Sequence, residues 1–119
     1  MFEQKALIDA ISRSQAMIEF DVEGNILNAN ENFLQTMGYQ KEEILGQHHR
    51  MFVSQEESSH PDYQKFWRML KDGRFASGRY KRLDKKGNEI WLEASYTPLF
   101  DKHGKAQVAC DRLKYLDLP

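Results

Sequence analysis

Only one cysteine, Cys110, occurs in the chain, so no internal disulfide can form and a reducing compartment is expected. No apolar run approaches the ~20 residues that a helix needs to span a bilayer. No signal peptide is visible, so the segment is expected to be soluble and cytoplasmic, without membrane insertion of its own. Neither sign of charge dominates: 17 Lys and Arg against 18 Asp and Glu leave a net charge of −1, with the signs interspersed. A nucleic-acid binder more often gathers its basic residues on one face, so no nucleic-acid partner is expected. Repeats, low-complexity tracts and flexible linkers are absent. So are the groupings that mark a catalyst: no carboxylate pair is framed for acid–base work, no Ser-His-Asp or Cys-His set occurs, and no glycine-rich phosphate loop leads into a helix. An enzyme is therefore not expected.

What remains is ordinary globular material. Apolar residues make up 40% of the 119 and charged ones 29%, enough for one domain with one core. The stretch Asn28–Gln47 organises the rest. Asn30 suits an N-cap, Phe33, Leu34 and Met37 follow at helical spacing, and Gly38 is placed to end the helix. Lys41–Leu45 gives one more turn, with Ile44 and Leu45 turned inward, before Gly46. Helices this short are unstable alone and must lie against an apolar surface.

The flanking segments supply that surface. Phe2–Gln15 reads as an amphipathic flanking helix with Leu7, Ile8 and Ile11 on one face, leaving residues 16–119 as the domain proper. Residues 17–22 alternate, Glu23-Gly24-Asn25 signals a tight turn, and Ile26–Asn28 returns as a second strand. His48–Val53 is a short irregular or helical piece, and Gln55–His60 reads as a polar loop. Pro61 opens a helix over Asp62–Lys71 carrying Tyr63, Phe66, Trp67 and Leu70, and Gly73 ends it. Ser77–Leu83, Glu89–Phe100 and Lys105–Leu116 then read as three strands joined by tight turns, hence antiparallel, with Pro98 marking an edge or a bulge. Strands segregated from helices imply an α+β fold with the helices on one sheet face. By period two, Leu92, Ala94 and Tyr96 face the helices and Trp91 faces away; the small Ala94 leaves room for a ligand. The basic run Lys81-Arg82 and Lys85-Lys86 reads as a solvated edge.

Three separated pieces, FDVEGNILNANENFLQTMGY, KEEILGQ and FWRMLKDGRFASGRYKRLDKKGNEIWLEASYTPLFDKHGK, resemble in order and spacing the PAS sensor domains, over roughly residues 12–110. With GQHHRMFV between them, the likeness is greatest to the PAS modules of bacterial methyl-accepting chemotaxis transducers and aerotaxis sensors. The resemblance implies a five-stranded antiparallel sheet in the order 2-1-5-4-3, short helices over one face, and a cleft between the layers. It implies a sensory module that binds a small ligand or cofactor and signals to a downstream output domain. The alternative is a dimerisation and interaction module without a ligand. A homodimer through the N-terminal helix and the outer sheet face is expected. The implied cleft residues are Asn30, Phe33, His48, His49, Arg50, Phe52, Trp67, Leu92, Ala94 and Tyr96.

The cofactor stays open among FAD, haem, a small organic ligand and none. His49 falls where light-sensing flavin relatives carry their reactive cysteine, which speaks against that photochemistry, although Arg50 matches their phosphate-contacting arginine. Aerotaxis-type flavin modules share Asn30, the Phe66–Gly73 helix end and Ser77-Gly78, but their flavin-contacting tryptophan is Ala76 here. His48, His49 and His60 are candidate axial ligands for haem. With His103 they lack zinc-ligand spacing, so no metal site is expected. The C-terminal CDRLKYLDLP departs from the trio that usually ends the last strand in this family.

Overall fold

The computed structural model describes residues 15–116. Of the expected helix Phe2–Gln15 only Gln15 is among the described residues, and the last three residues of the chain also lie outside them. Five strands, β1 (Ala16–Asp21), β2 (Ile26–Ala29), β3 (Ala76–Leu83), β4 (Glu89–Phe100) and β5 (Ala106–Leu116), form one antiparallel sheet in the order β2-β1-β5-β4-β3. This is the order implied by the resemblance. Between β2 and β3 run helices α1 (Glu31–Met37) and α2 (Lys41–Ile44), a 3₁₀ turn (His49–Phe52), and helices α3 (Gln55–Ser59) and α4 (Pro61–Lys71). Among the described residues, no helix is long and apolar enough to cross a membrane.

Local chemistry accounts for each break. Asn30 Oδ1 accepts from the Phe33 amide at 3.0 Å, as an N-cap should, and Gly38 closes α1 by donating its N–H to the Leu34 carbonyl at 2.8 Å. Pro61 occupies the first turn of α4, where its missing N–H costs nothing. Pro98 lies past the end of the β3 ladder, which stops at Ala76↔Tyr96, so the side of β4 that lacks a donor is an edge. The bulge lies instead on β5, which has two residues between Asp111 and Lys114 opposite the single Ala94 of β4.

Two expectations are corrected. Leu45, expected to turn inward with Ile44, is 41% exposed, because it is the C-cap of α2 and its backbone has already left the helix. Gln55–Ser59, read as a polar loop, is a helical turn whose N-cap Ser54 Oγ accepts from the Glu57 amide at 3.1 Å. It buries no residue, so apolar periodicity gave no sign of it.

The core lies between the sheet and the helices. Phe20, Ile26, Met37, Ile44, Leu70, Val108 and Cys110 are completely enclosed, and burial of each large apolar side chain stabilises by about 1.5–3 kcal/mol. Leu92, Ala94 and Tyr96 face this core, while Trp91 on the opposite face is 40% exposed, as period two requires.

Candidate functional site

The chain after α2 returns along the edge strand β2. The Gly46 amide donates to the Ile26 carbonyl at 2.9 Å, the Ile26 amide to Gln47 O at 2.7 Å, and the His49 amide to Gly24 O at 2.9 Å. This pairing sets the directions of two adjacent histidines. His48 turns outward over the β1–β2 hairpin; its Nε2 donates to Glu23 O at 2.8 Å and its Nδ1 accepts from the Arg50 amide at 3.0 Å. Gly24, at φ +92°, allows this approach, because a Cβ there would stand 2.6 Å from His48 Nε2. His49 turns inward and is fully buried.

Inside, His49 joins a polar chain that crosses the apolar core. Its Nδ1 lies 2.8 Å from the Tyr63 hydroxyl on α4, and its Nε2 lies 3.0 Å from the Tyr96 hydroxyl on β4. Tyr96 also accepts from Arg82 Nη2 at 3.1 Å. Arg82 Nη1 donates to the Lys81 carbonyl at 2.9 Å and to Glu57 Oε2 on α3 at 3.1 Å. Arginine only donates, so the Tyr96 hydroxyl proton is free for His49 Nε2. His49 Nδ1–H then points at Tyr63. Burial, reinforced by the neighbouring Arg82, drives the His49 pKa well below the ordinary histidine value, so the ring is neutral. Burial likewise raises the Tyr63 hydroxyl to about 12, the Cys110 thiol to about 12, and the Tyr96 hydroxyl further still. Every member except Arg82 and Glu57 is therefore uncharged near neutral pH.

The ten expected cleft residues separate into two groups. Phe33, His49, Phe52, Leu92 and Tyr96 line the same interior space, with Cys110 and Arg82. Trp67 borders it, its ring 5.3 Å from His49 and 5.4 Å from Phe20, both edge-on. Asn30 is a cap rather than a cleft residue: its Nδ2 donates to Gln15 O at 2.6 Å and its Oδ1 accepts from the Met17 amide at 2.9 Å. His48 and Arg50 line an outer groove beside α4. Ala94 is buried and is not among the residues that line the interior space. It pairs with Gly78, and the Tyr80 ring lies 3.8 Å from where a Cβ on Gly78 would stand.

Arg82 corrects the solvated-edge reading of the basic run, since it is only 5% exposed. Parity could have found it. Tyr80 and Arg82 pair with Leu92 and Ile90, so they share the inward face of those residues. Tyr63 and Glu57 were also missed, because helical and loop residues show no parity relative to a sheet.

The interior does not fit a flavin or a haem in this conformation. The space among Phe33, His49, Phe52 and Tyr96 amounts to about 10 Å³, about one water's worth, against the several hundred Å³ of a cofactor pocket. Both ring nitrogens of His48 and of His49 are engaged, leaving neither ring a lone pair for iron. His60 is a surface cap, its Nδ1 accepting from the Asp62 amide at 3.1 Å. Among the described residues, no group of three or more His, Cys, Asp or Glu side chains is placed to hold a metal.

A sheet in the order β2-β1-β5-β4-β3, roofed on one face by short helices with a polar chain between the layers, defines a PAS-type sensor fold. The PAS fold family matches residues 26–109, and the chain belongs to that family. Biofilm dispersion protein BdlA of Pseudomonas aeruginosa is 46% identical over 103 residues, 87% of this chain and 25% of that protein. The aerotaxis receptor of Escherichia coli is 34% identical over 84 residues, 66% of this chain and 15% of that protein. The chain thus spans a quarter or less of the length of these relatives. Among solved structures, a PAS domain from Colwellia psychrerythraea superposes with a TM-score of 0.73 at 19% identity, covering 92% of this chain and 95% of that one. A light-oxygen-voltage domain superposes with a TM-score of 0.71 at 22% identity, covering 92% and 84%. These likenesses show the fold.

Proposed function

We propose that this domain is the cytoplasmic sensory module of a chemotaxis- or aerotaxis-type transducer, passing its state to a downstream signalling domain. One observation carries the reading: an otherwise apolar core is crossed by the chain Glu57–Arg82–Tyr96–His49–Tyr63, which joins α3 and α4 to β3 and β4. Buried polar groups left unpaired cost about 1–3 kcal/mol each. A change at the helices that breaks one link must therefore be accommodated at the sheet, which is the coupling that a population shift between two states requires. Kinship with the aerotaxis receptor and with BdlA supports the output assignment. The lone, enclosed thiol of Cys110 suits a reducing compartment. Catalysis forms no part of the proposal.

Association with a second copy through residues 2–15 and the outer sheet face, where Trp91 is exposed, completes the proposal. Deleting residues 2–15 is expected to lower the sedimenting mass; an unchanged mass removes the dimer. The main test is Tyr96→Phe in the full-length transducer. It is expected to alter the response of swimming cells to stimulus gradients at unchanged protein level, and an unaltered response overturns the proposal. Protein purified without added cofactor is expected to show neither flavin nor haem absorption. A second reading, an interaction module that takes no ligand, is favoured by the filled interior. It predicts that no small molecule shifts the thermal midpoint.

A further inference from the structure

The chain's outer end opens into a cleft of about 500 Å³ between α3, the start of α4 and β3, walled by Tyr63, Phe66 and Tyr80 and floored by Arg82. Arg82 is enclosed, yet its donors are incompletely used. Nη1 and Nη2 have partners, whereas Nε has none among the described residues. The guanidinium carbon also lies 4.9 Å from the centre of the Tyr80 ring, so the cation is held against an aromatic wall. A planar guanidinium with spare N–H groups matches a carboxylate, which it can grip with two parallel hydrogen bonds.

A carboxylate already sits there, loosely. Glu57 makes a single contact to Nη1 at 3.1 Å, and its side chain is 39% exposed. It rides on a five-residue helix that buries nothing. Glu57 is thus a partly solvated carboxylate with one hydrogen bond to the guanidinium, which another carboxylate can replace.

We propose that this cleft binds a small monocarboxylate with a flat apolar body. Its carboxylate displaces Glu57 from Arg82, and its body packs against Phe66 and Tyr80. The acidic side chains of Glu56 and Asp62 line the cleft too, and its second cation, Lys81, is paired with Glu89 at 3.0 Å, which disfavours polyanions. Displacement releases α3 while Arg82 keeps its bond to Tyr96, so ligand entry is felt at the inner end of the chain. The inference rests on the sensory reading above and supplies its ligand class.

Benzoate is the probe, with benzamide as its neutral counterpart, followed by isothermal titration and thermal unfolding of the 119-residue chain. Benzoate is expected to bind saturably and raise the midpoint, and benzamide to do neither. Glu57→Gln, which removes the competing charge, is expected to tighten benzoate binding about threefold or more; Arg82→Lys, which loses the planar fork, to weaken it about tenfold. Should the lysine variant fail to fold, Glu57→Gln decides alone. Absence of saturable benzoate binding in both wild type and Glu57→Gln, an equal response to benzamide, or unchanged affinity in Glu57→Gln overturns the proposal. Failure here alongside an altered response in Tyr96→Phe removes only the ligand class. Benzoate binding alongside an unaltered response in Tyr96→Phe removes the sensory reading and leaves the site.

Discussion

His49 is fully enclosed, and protonating it in the folded protein would strip a charged ring of solvent and place a second cation beside Arg82, so folding favours the neutral ring. The unfolded chain has no such restriction, and its histidines take up protons near pH 6.5. With the folded pKa depressed, the stability from His49 is fully present above about pH 6.5 and falls as pH drops below it, by about 1.4 kcal/mol per pH unit for one group. His48 is shifted the same way by its burial and adds to the loss. His49→Asn should flatten the profile between about pH 7 and 5 in urea unfolding; an unchanged slope would mean that the ring is not held neutral. Gly24 is the other residue whose identity is fixed by its neighbours. Gly24→Ala meets both the positive φ and the His48 ring, with an expected cost above about 2 kcal/mol, whereas Gly46→Ala, at φ +80° in open space, should cost about 1 kcal/mol. Equal losses in chemical denaturation would show that the contact with His48 contributes nothing. Gly24 was legible as a turn residue in the sequence, but its partner was not, since His48 is brought to it only by the pairing along β2.

Helix α1 shows how an element can be legible while its anchor is not. The cap, the apolar face and the glycine stop were all readable between Asn30 and Gly38. Nothing local indicated that Asn30 also binds Gln15 O and the Met17 amide, more than a dozen residues earlier. Asn30→Ala should therefore cost more than the ~1 kcal/mol typical of a lost cap, because it also strips partners from the start of β1. Asn30→Ser, which keeps a capping oxygen but no amide donor, should recover only part of the loss. Complete recovery in urea unfolding would assign Asn30 a purely local role. Helix α3 is the opposite case. Its segment has no apolar period, but Ser54 followed three residues later by Glu57 is a capping-box spacing that marks a helix start without help from hydrophobicity. In the folded protein Ser54 holds up its half of that box, while the Glu57 carboxylate turns away to Arg82. The element that the sequence pattern missed is thus the one whose side chain leaves local duty for a tertiary partner.

At the scale of the whole molecule, the layering was legible from turns and alternation, and the strand order through the family resemblance alone. The filling of the interior was not, because parity says which side chains point inward and nothing about how they interlock. The two layers meet mainly through apolar contact, which is non-directional and tolerates small shifts. The hydrogen bonds of Tyr96 are directional, and they tie β4 to the 3₁₀ turn through His49 and to β3 through Arg82. Tyr96→Phe removes one oxygen, preserves the ring that packs 4.9 Å from Phe66, and leaves Arg82 Nη2 and His49 Nε2 without this partner. The expected cost is about 1–3 kcal/mol. Its distribution matters more than its size. Amides of residues 49–71 should exchange with solvent faster, since their register on the sheet loses its polar anchor, whereas the β4–β5 ladder should keep its protection. Uniform loss of protection across sheet and helices would mean that the hydroxyl supports global stability alone. Loss confined to the helical layer would mark the Tyr96 oxygen as the joint at which that layer moves on the sheet.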